Sequence, residues 1–180
     1  MALHPVRGLC LAMARHAVIG FRPFLPADAQ TVADLFCASI ETLASEDYAA
    51  EQIVAWQSAA RDIQALTVRL NEALTILAIV QGQIVGFVSL RDKTKLDMLY
   101  VHPDHVRAGV GASLLEAIEK LAANRGVDKI TLEASDNALG FFTARNYTPQ
   151  SRKTHVIDGQ WLGCTAMSKD LTGVYAGSMH

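Results

Sequence analysis

Apolar residues recur with two different periods along this chain, and the switches between the periods mark out its elements. Val18 to Leu25 reads as a first strand, closed by Pro26. Val32, Leu35, Phe36, Ile40 and Leu43 then fall on one face of a helix that Asp28 is placed to cap. A second helical region, 49–71, carries Ile53, Trp56, Ile63, Leu66 and Leu70, and loses register near 58–61, which predicts a break there. Leu74 to Val80 and Ile84 to Leu90 read as strands joined through Gln81-Gly82-Gln83. A strand over 96–101, with Leu96, Met98, Leu99 and Val101, ends ahead of Pro103. A helix from Gly109 to Arg125 follows, with Leu114, Leu115, Ile118, Leu121 and Ala122 as its core face and Gly126 as its C-cap. Lys129 to Ala134 alternates like a strand, and Asn137 to Arg145 is a short helix stopped by Asn146. Arg152 to Ile157 and Trp161 to Lys169 form a hairpin about Asp158-Gly159. The order β-α-α-β-β-β-α-β-α-β-β predicts a mixed α+β fold, one sheet with helices on its faces.

With 180 residues, 51% hydrophobic and 19% charged, the chain is long enough and apolar enough for one folded domain rather than a disordered segment. We place that domain at 18–171, between a loose leader (1–17) and a tail (172–180). The leader's Arg7 and short apolar stretch resemble a signal peptide only faintly. A start at Met13 would lie just ahead of the first strand, so a leader or a misassigned start is expected rather than export. A net charge of −2, with no polybasic run, argues against a nucleic-acid partner, and no apolar run approaches a membrane span. Cys10, Cys37 and Cys164 have no metal-ligand spacing, so no metal is expected, and their odd, low number suits a reducing cytoplasm.

The stretch 96–115 carries the chemistry. Arg107-Ala108-Gly109-Val110-Gly111-Ala112 lies between a strand and an amphipathic helix. Small residues there let main-chain N–H groups approach an anion at the helix start. The dinucleotide-binding fingerprint fits poorly, because Leu114 stands where its third glycine belongs and several residues separate Val101 from Gly109. Glu133 lies where a ribose-binding acid would sit, a match we ascribe to chance. A triphosphate P-loop fails because no Gly-Lys-Ser/Thr follows. A glycine-rich turn with no ligand is the plain structural alternative.

The run from Arg107 to Ala112, behind a strand ending Val101-His102-Pro103, resembles the pyrophosphate-binding segment of the GNAT superfamily of N-acetyltransferases. Glu133 to Tyr147 resembles that family's next motif, a short helix ending in Gly-Phe or Gly-Tyr, with Asn146 in the glycine's place. The element order matches from about Val18 to Leu171. The resemblance implies a sheet splayed between 96–101 and 130–134, and acetyl transfer from acetyl-coenzyme A to a primary amine of a small molecule or peptide. The alternative is an acyl-coenzyme A sensor without turnover. Homodimers are common among such relatives, but nothing in the sequence shows one.

By the same resemblance, the main chain of Arg107, Ala108, Gly109, Val110, Gly111 and Ala112 would take the diphosphate, with the Ser113 hydroxyl. Ser113 could equally be only a helix-start residue. Tyr100 and Val101 would pair with the pantetheine arm, and the Leu99 N–H would point at the thioester oxygen. Ser135 or Asn137 would bind the arm from the other side, Asn137 being equally plausible as a helix cap. Phe141, Phe142 and Arg145 belong to the second motif and would flank the coenzyme. An alkylamine is mostly protonated at neutral pH, so a base helps. Asp97, the one acid in strand 96–101, is the first candidate, though it could be a solvated strand residue. Tyr100 and His155 are the others. Many relatives carry a tyrosine at Phe142 that protonates the leaving sulfur, which phenylalanine cannot do. Trp56 falls in the segment that overhangs the acceptor in relatives, or is a core tryptophan.

Overall fold

Seven strands form one sheet that is apolar on both faces, so helices must cover both. The computed structural model describes residues 18–173. The leader expected over 1–17 lies outside the described residues, as does most of the tail. In chain order the elements are β1 (Gly20–Pro23), α1 (Ala29–Leu43), α2 (Ala50–Gln57), α3 (Ile63–Glu72), β2 (Leu74–Val80), β3 (Gln83–Arg91) and β4 (Lys95–Val101). There follow α4 (Val110–Asn124), β5 (Lys129–Ser135), α5 (Leu139–Thr143), β6 (Thr148–Ile157) and β7 (Gln160–Asp170). The sheet order is β1-β2-β3-β4-β5-β7-β6. All neighbours are antiparallel except β4 and β5. The α/β expectation, with a mostly antiparallel sheet splayed at its centre, holds.

One face is covered by α4, whose Leu114, Leu115, Ile118 and Ala122 pack against Ala78, Val88, Ile130 and Leu132. On the other, Val32, Phe36 and Ile40 of α1 and Leu66 and Leu70 of α3 meet Leu77, Phe87 and Met98. Gly86 on β3 sets how close α4 can come. A β-carbon there would lie 3.0 Å from Leu114 Cδ1 and 3.1 Å from Val110 Cγ1. The start of α4 is therefore drawn tightly against the sheet.

Two expectations are corrected. Asp28 does not cap α1 with its side chain. Its carboxylate accepts from Arg22 Nη1 and Nη2 (2.7 and 2.8 Å) and from the Leu25 N–H (2.9 Å), closing the turn before the helix. Leu121 is 37% exposed rather than core. The sixth buried position of α4 is Glu119 instead, 2% exposed, accepting from the Tyr147 hydroxyl (2.9 Å) and Lys169 Nζ (2.7 Å). A charge sits there because β7 and Tyr147 supply partners that α4 alone does not reveal. The break expected near 58–61 is present and separates α2 from α3, with Asp62 capping α3 through the Ala65 N–H (2.9 Å).

Glu119→Ala should cost about 3–5 kcal/mol in urea denaturation, because it strands the buried Lys169 ammonium. A loss within about 0.5 kcal/mol, the size of an ordinary surface change, would contradict this placement.

Candidate active site

The parallel pair at the sheet's centre is barely a pair. Lys95 opposite Thr131 is the one register contact, supported by Thr131 N–H to Thr94 O at 2.9 Å. Beyond it β4 and β5 diverge, and the β5-facing edge of 96–101 has no strand partner. Main-chain donors and acceptors left in a protein interior need partners. A strand edge of this kind suits an extended ligand with amides of its own. The divergence opens a cleft of about 860 Å³.

A bulge contributes to this. Ser89 pairs with Met98 and Leu90 with Leu96, so Asp97 has no partner on β3. Such an extra residue bends its strand and flips the side-chain alternation. Leu96 joins the core under α4 while Met98 joins the core under α1 and α3.

At the mouth, Gly109 holds a left-handed conformation (φ 82°) ahead of α4. The first helical bond is Ser113 N–H to Gly109 O, 3.0 Å. The N–H groups of Val110, Gly111 and Ala112 thus precede any intrahelical acceptor and carry the helix's positive end. Arg107 and Arg145 border the same mouth, the latter stacked 3.8 Å over the Phe141 ring. The structure brings Asp97, Leu99, Tyr100, Val101, Arg107, Gly109, Val110, Gly111, Ala112, Ser135, Asn137, Phe141, Phe142 and Arg145 to one cleft. Ala108 and Ser113 lie outside its lining. Phe142 is 6% exposed, edge-on to Phe141 and Tyr147 at 5.1 and 5.5 Å, so it is a core ring that reaches the cleft wall.

Asn137 does not cap α5, which begins at Leu139 behind Ala138. Its amide nitrogen donates to Leu43 O (3.1 Å), and its oxygen accepts from Ser135 Oγ (2.6 Å). Asp97 is not a free base. Its side chain is 6% exposed, with one oxygen 2.7 Å from Arg69 Nε and the other 3.0 Å from Arg69 Nη2. Tyr100 is no better placed. Burial pushes its phenol well above the ordinary range, although the Trp56 Nε1–H, donating to its oxygen at 3.2 Å, works the other way. Trp56 both packs against the core under α1 and α3 and lines the cleft.

His155, by contrast, stands at the cleft with Nε2 3.1 Å from Glu133 Oε2. Burial raises the Glu133 carboxyl, but Lys153 at 2.9 Å, Lys95 and His155 outweigh it and hold it below its usual range. Two residues here were missed as site residues. Tyr48, between α1 and α2, donates to Gly163 O (3.1 Å) and accepts from the Asp136 N–H (2.9 Å). Glu133 had been set aside as a chance ribose match. The signal that finds it is the strand period, because Ile130, Leu132 and Ala134 face the core and Glu133 must face away.

Among the described residues no helix is long and apolar enough to cross a membrane, and no cluster of three or more His, Cys, Asp or Glu could hold a metal. Residues 44–171 match the family model described as an acetyltransferase (GNAT) domain. The N-acetyltransferase YafP of Escherichia coli K12, itself uncharacterized, is 30% identical over 143 residues, covering 79% of this chain and 90% of its own. A GCN5-related N-acetyltransferase from Rhodopseudomonas palustris is 47% identical, with a TM-score of 0.84 over 86% of this chain and 96% of its own. The PaiA N-acetyltransferase of Thermoplasma acidophilum, solved with coenzyme A, shares the fold. It has 21% identity and a TM-score of 0.67 over 85% of this chain and 99% of its own.

Arg152 holds the Asp136 carboxyl below its usual range, against a smaller effect of burial. A lowered folded-state value means the pair stabilises above the unfolded value of about 3.9 and is lost as pH falls through the folded one. The stability gap between wild type and Asp136→Asn should therefore be present at neutral pH and narrower at an acid pH below the unfolded value of about 3.9. Urea midpoints at both pH values would show it, and a constant gap would contradict it.

Proposed function

The chain belongs to the GNAT acetyltransferase family and is an acyltransferase, and we propose that it moves the acetyl group of acetyl-coenzyme A directly onto a primary amine of a small molecule or peptide. The observation that carries this reading is the unpaired β4 edge running from a helix N-terminus into the cleft. A ligand with a diphosphate at one end and an amide-bearing arm fits that combination. The N–H groups at the start of α4, with Arg107 and Arg145, would take the diphosphate. The arm would pair with main chain at Tyr100 and Val101, and the Leu99 N–H would donate to the thioester oxygen.

Transfer forms a C–N bond and breaks a C–S bond, while one proton leaves the amine. Asp97 is committed to Arg69, and Tyr100 holds its proton too tightly. His155 is the group we assign to receive it, with Glu133 accepting from the ring and fixing its orientation. The thiolate of coenzyme A, with a thiol pKa of about 8.5, leaves readily enough that Phe142 need not be an acid.

Two measurements test this. Gly111→Glu places a carboxylate against Phe141 and Val101, at 3.4–3.5 Å from where its β-carbon would start, and beside the diphosphate. It should abolish acetyl-coenzyme A binding in calorimetry, and retained wild-type affinity would overturn the assignment. His155→Gln should lower turnover at neutral pH by about 10²–10⁴-fold, followed as thiol release. Activity should partly recover in alkali, where free amine accumulates. An unchanged pH–rate profile would remove His155 from the mechanism.

A further inference from the structure

The inner end of the cleft, away from the start of α4, holds more positive charge than its own carboxylates can use. Arg91 and Lys95 are cross-strand partners where β3 turns into β4. Like charges placed directly opposite each other destabilise a sheet, so this pair runs against fold stability. Arg69 reaches the same place from α3. These three cations border the cleft with two acids, Asp97 and Glu133.

The acids are already engaged. Both oxygens of Asp97 accept from Arg69, at 2.7 and 3.0 Å. Arg91 Nη1 comes only to 3.8 Å of Asp97, and Arg91 Nε to 3.5 Å of Asp92, a carboxylate 79% exposed. Neither contact is a hydrogen bond, and Nε is a buried atom without a hydrogen-bond partner. Lys95 Nζ lies 3.5 Å from Glu133, which already bonds Lys153 and His155. Arg91 and Lys95 therefore keep donors to spare where they line the cleft.

We propose that Arg91 and Lys95, backed by Arg69, form an anion subsite, and that the acceptor is an amine carrying a carboxylate at the far end of a short chain. This rests on the acetyl-transfer reading. Leu99, where the thioester would sit, is four residues from Lys95 along β4, or roughly 13 Å at the usual rise. The long arms of Arg91 and Lys95 shorten that gap to about the length of a five- or six-carbon chain. A second ammonium in the carboxylate's place would meet like charge, so the subsite also discriminates against diamines.

Aminocaproate, n-hexylamine and hexamethylenediamine are matched probes, compared as acceptors by thiol release from acetyl-coenzyme A. Wild type should prefer aminocaproate over n-hexylamine by about ten- to hundredfold in kcat/KM, the worth of a hydrogen bond to a charged group. The diamine should be the poorest. Arg91→Gln, which loses the charge but keeps a polar side chain, and Lys95→Met should each collapse that ratio mainly through KM, with thermal melts to confirm folding. No preference in wild type, a preference for the diamine, a ratio that survives both substitutions, or acetylation of none of the three by a chain that binds acetyl-coenzyme A would each overturn the subsite. Absence of any acetyl-coenzyme A binding heat in wild type would overturn the parent reading as well.

Discussion

The separation of β4 from β5 is the constraint on which the rest of this structure depends. A parallel pair at the centre of a sheet normally completes its ladder, and each bond omitted forfeits about 1 kcal/mol of net stability. Here the ladder stops after Lys95 and Thr131, so the sheet is two half-sheets, β1–β4 and β5–β7–β6, joined at one corner. The bulge at Asp97 belongs to the same feature. It removes one residue from the β3 pairing and turns Leu96 and Met98 to opposite cores.

Two half-sheets need another connection, and the helical layers supply it. α4 packs across both, touching Ala78 and Val88 on one side and Ile130 and Leu132 on the other. On the opposite face the α1–α2 segment is tied to the β5–β7 half by specific hydrogen bonds. Tyr48 reaches Gly163 and Asp136, Gln52 reaches Trp161, and the Leu43 carbonyl takes the Asn137 amide. Leu43, Tyr48, Asn137 and Gly163 of these ties also line the cleft. Holding the halves together and shaping the cleft are thus done in part by the same residues, Tyr48 and Asn137 among them.

The cleft is electrically uneven, which gives it direction. Its mouth has Arg107, Arg145 and the open end of α4, all suited to phosphate. Its middle is aromatic, with Tyr48, Trp56 and Tyr100. Glu133 is the hub of the inner half, shared by Lys95, Lys153 and His155. A carboxylate so engaged stays ionised and is a poor base, yet it can hold an imidazole in one orientation.

The sequence by itself determined the elements, their order and the anion cradle, because these rest on local rules. Period 3.6 against period 2 separates helix from strand, and small residues at a helix start leave N–H groups open. Within the site, the segments legible in the sequence were those proposed to bind through their main chain, Leu99 to Val101 and Arg107 to Ala112. The tertiary structure decided what each side chain is free to do. Asp97 looked like a base beside apolar neighbours, but Arg69, 28 positions away in the chain, takes both its oxygens. Leu121 and Glu119 exchanged places between surface and core because Lys169 and Tyr147 arrive from other elements. Titratable groups are governed by charges and burial within a few ångströms, and chain order does not encode that neighbourhood until the sheet halves and their helices have closed around it.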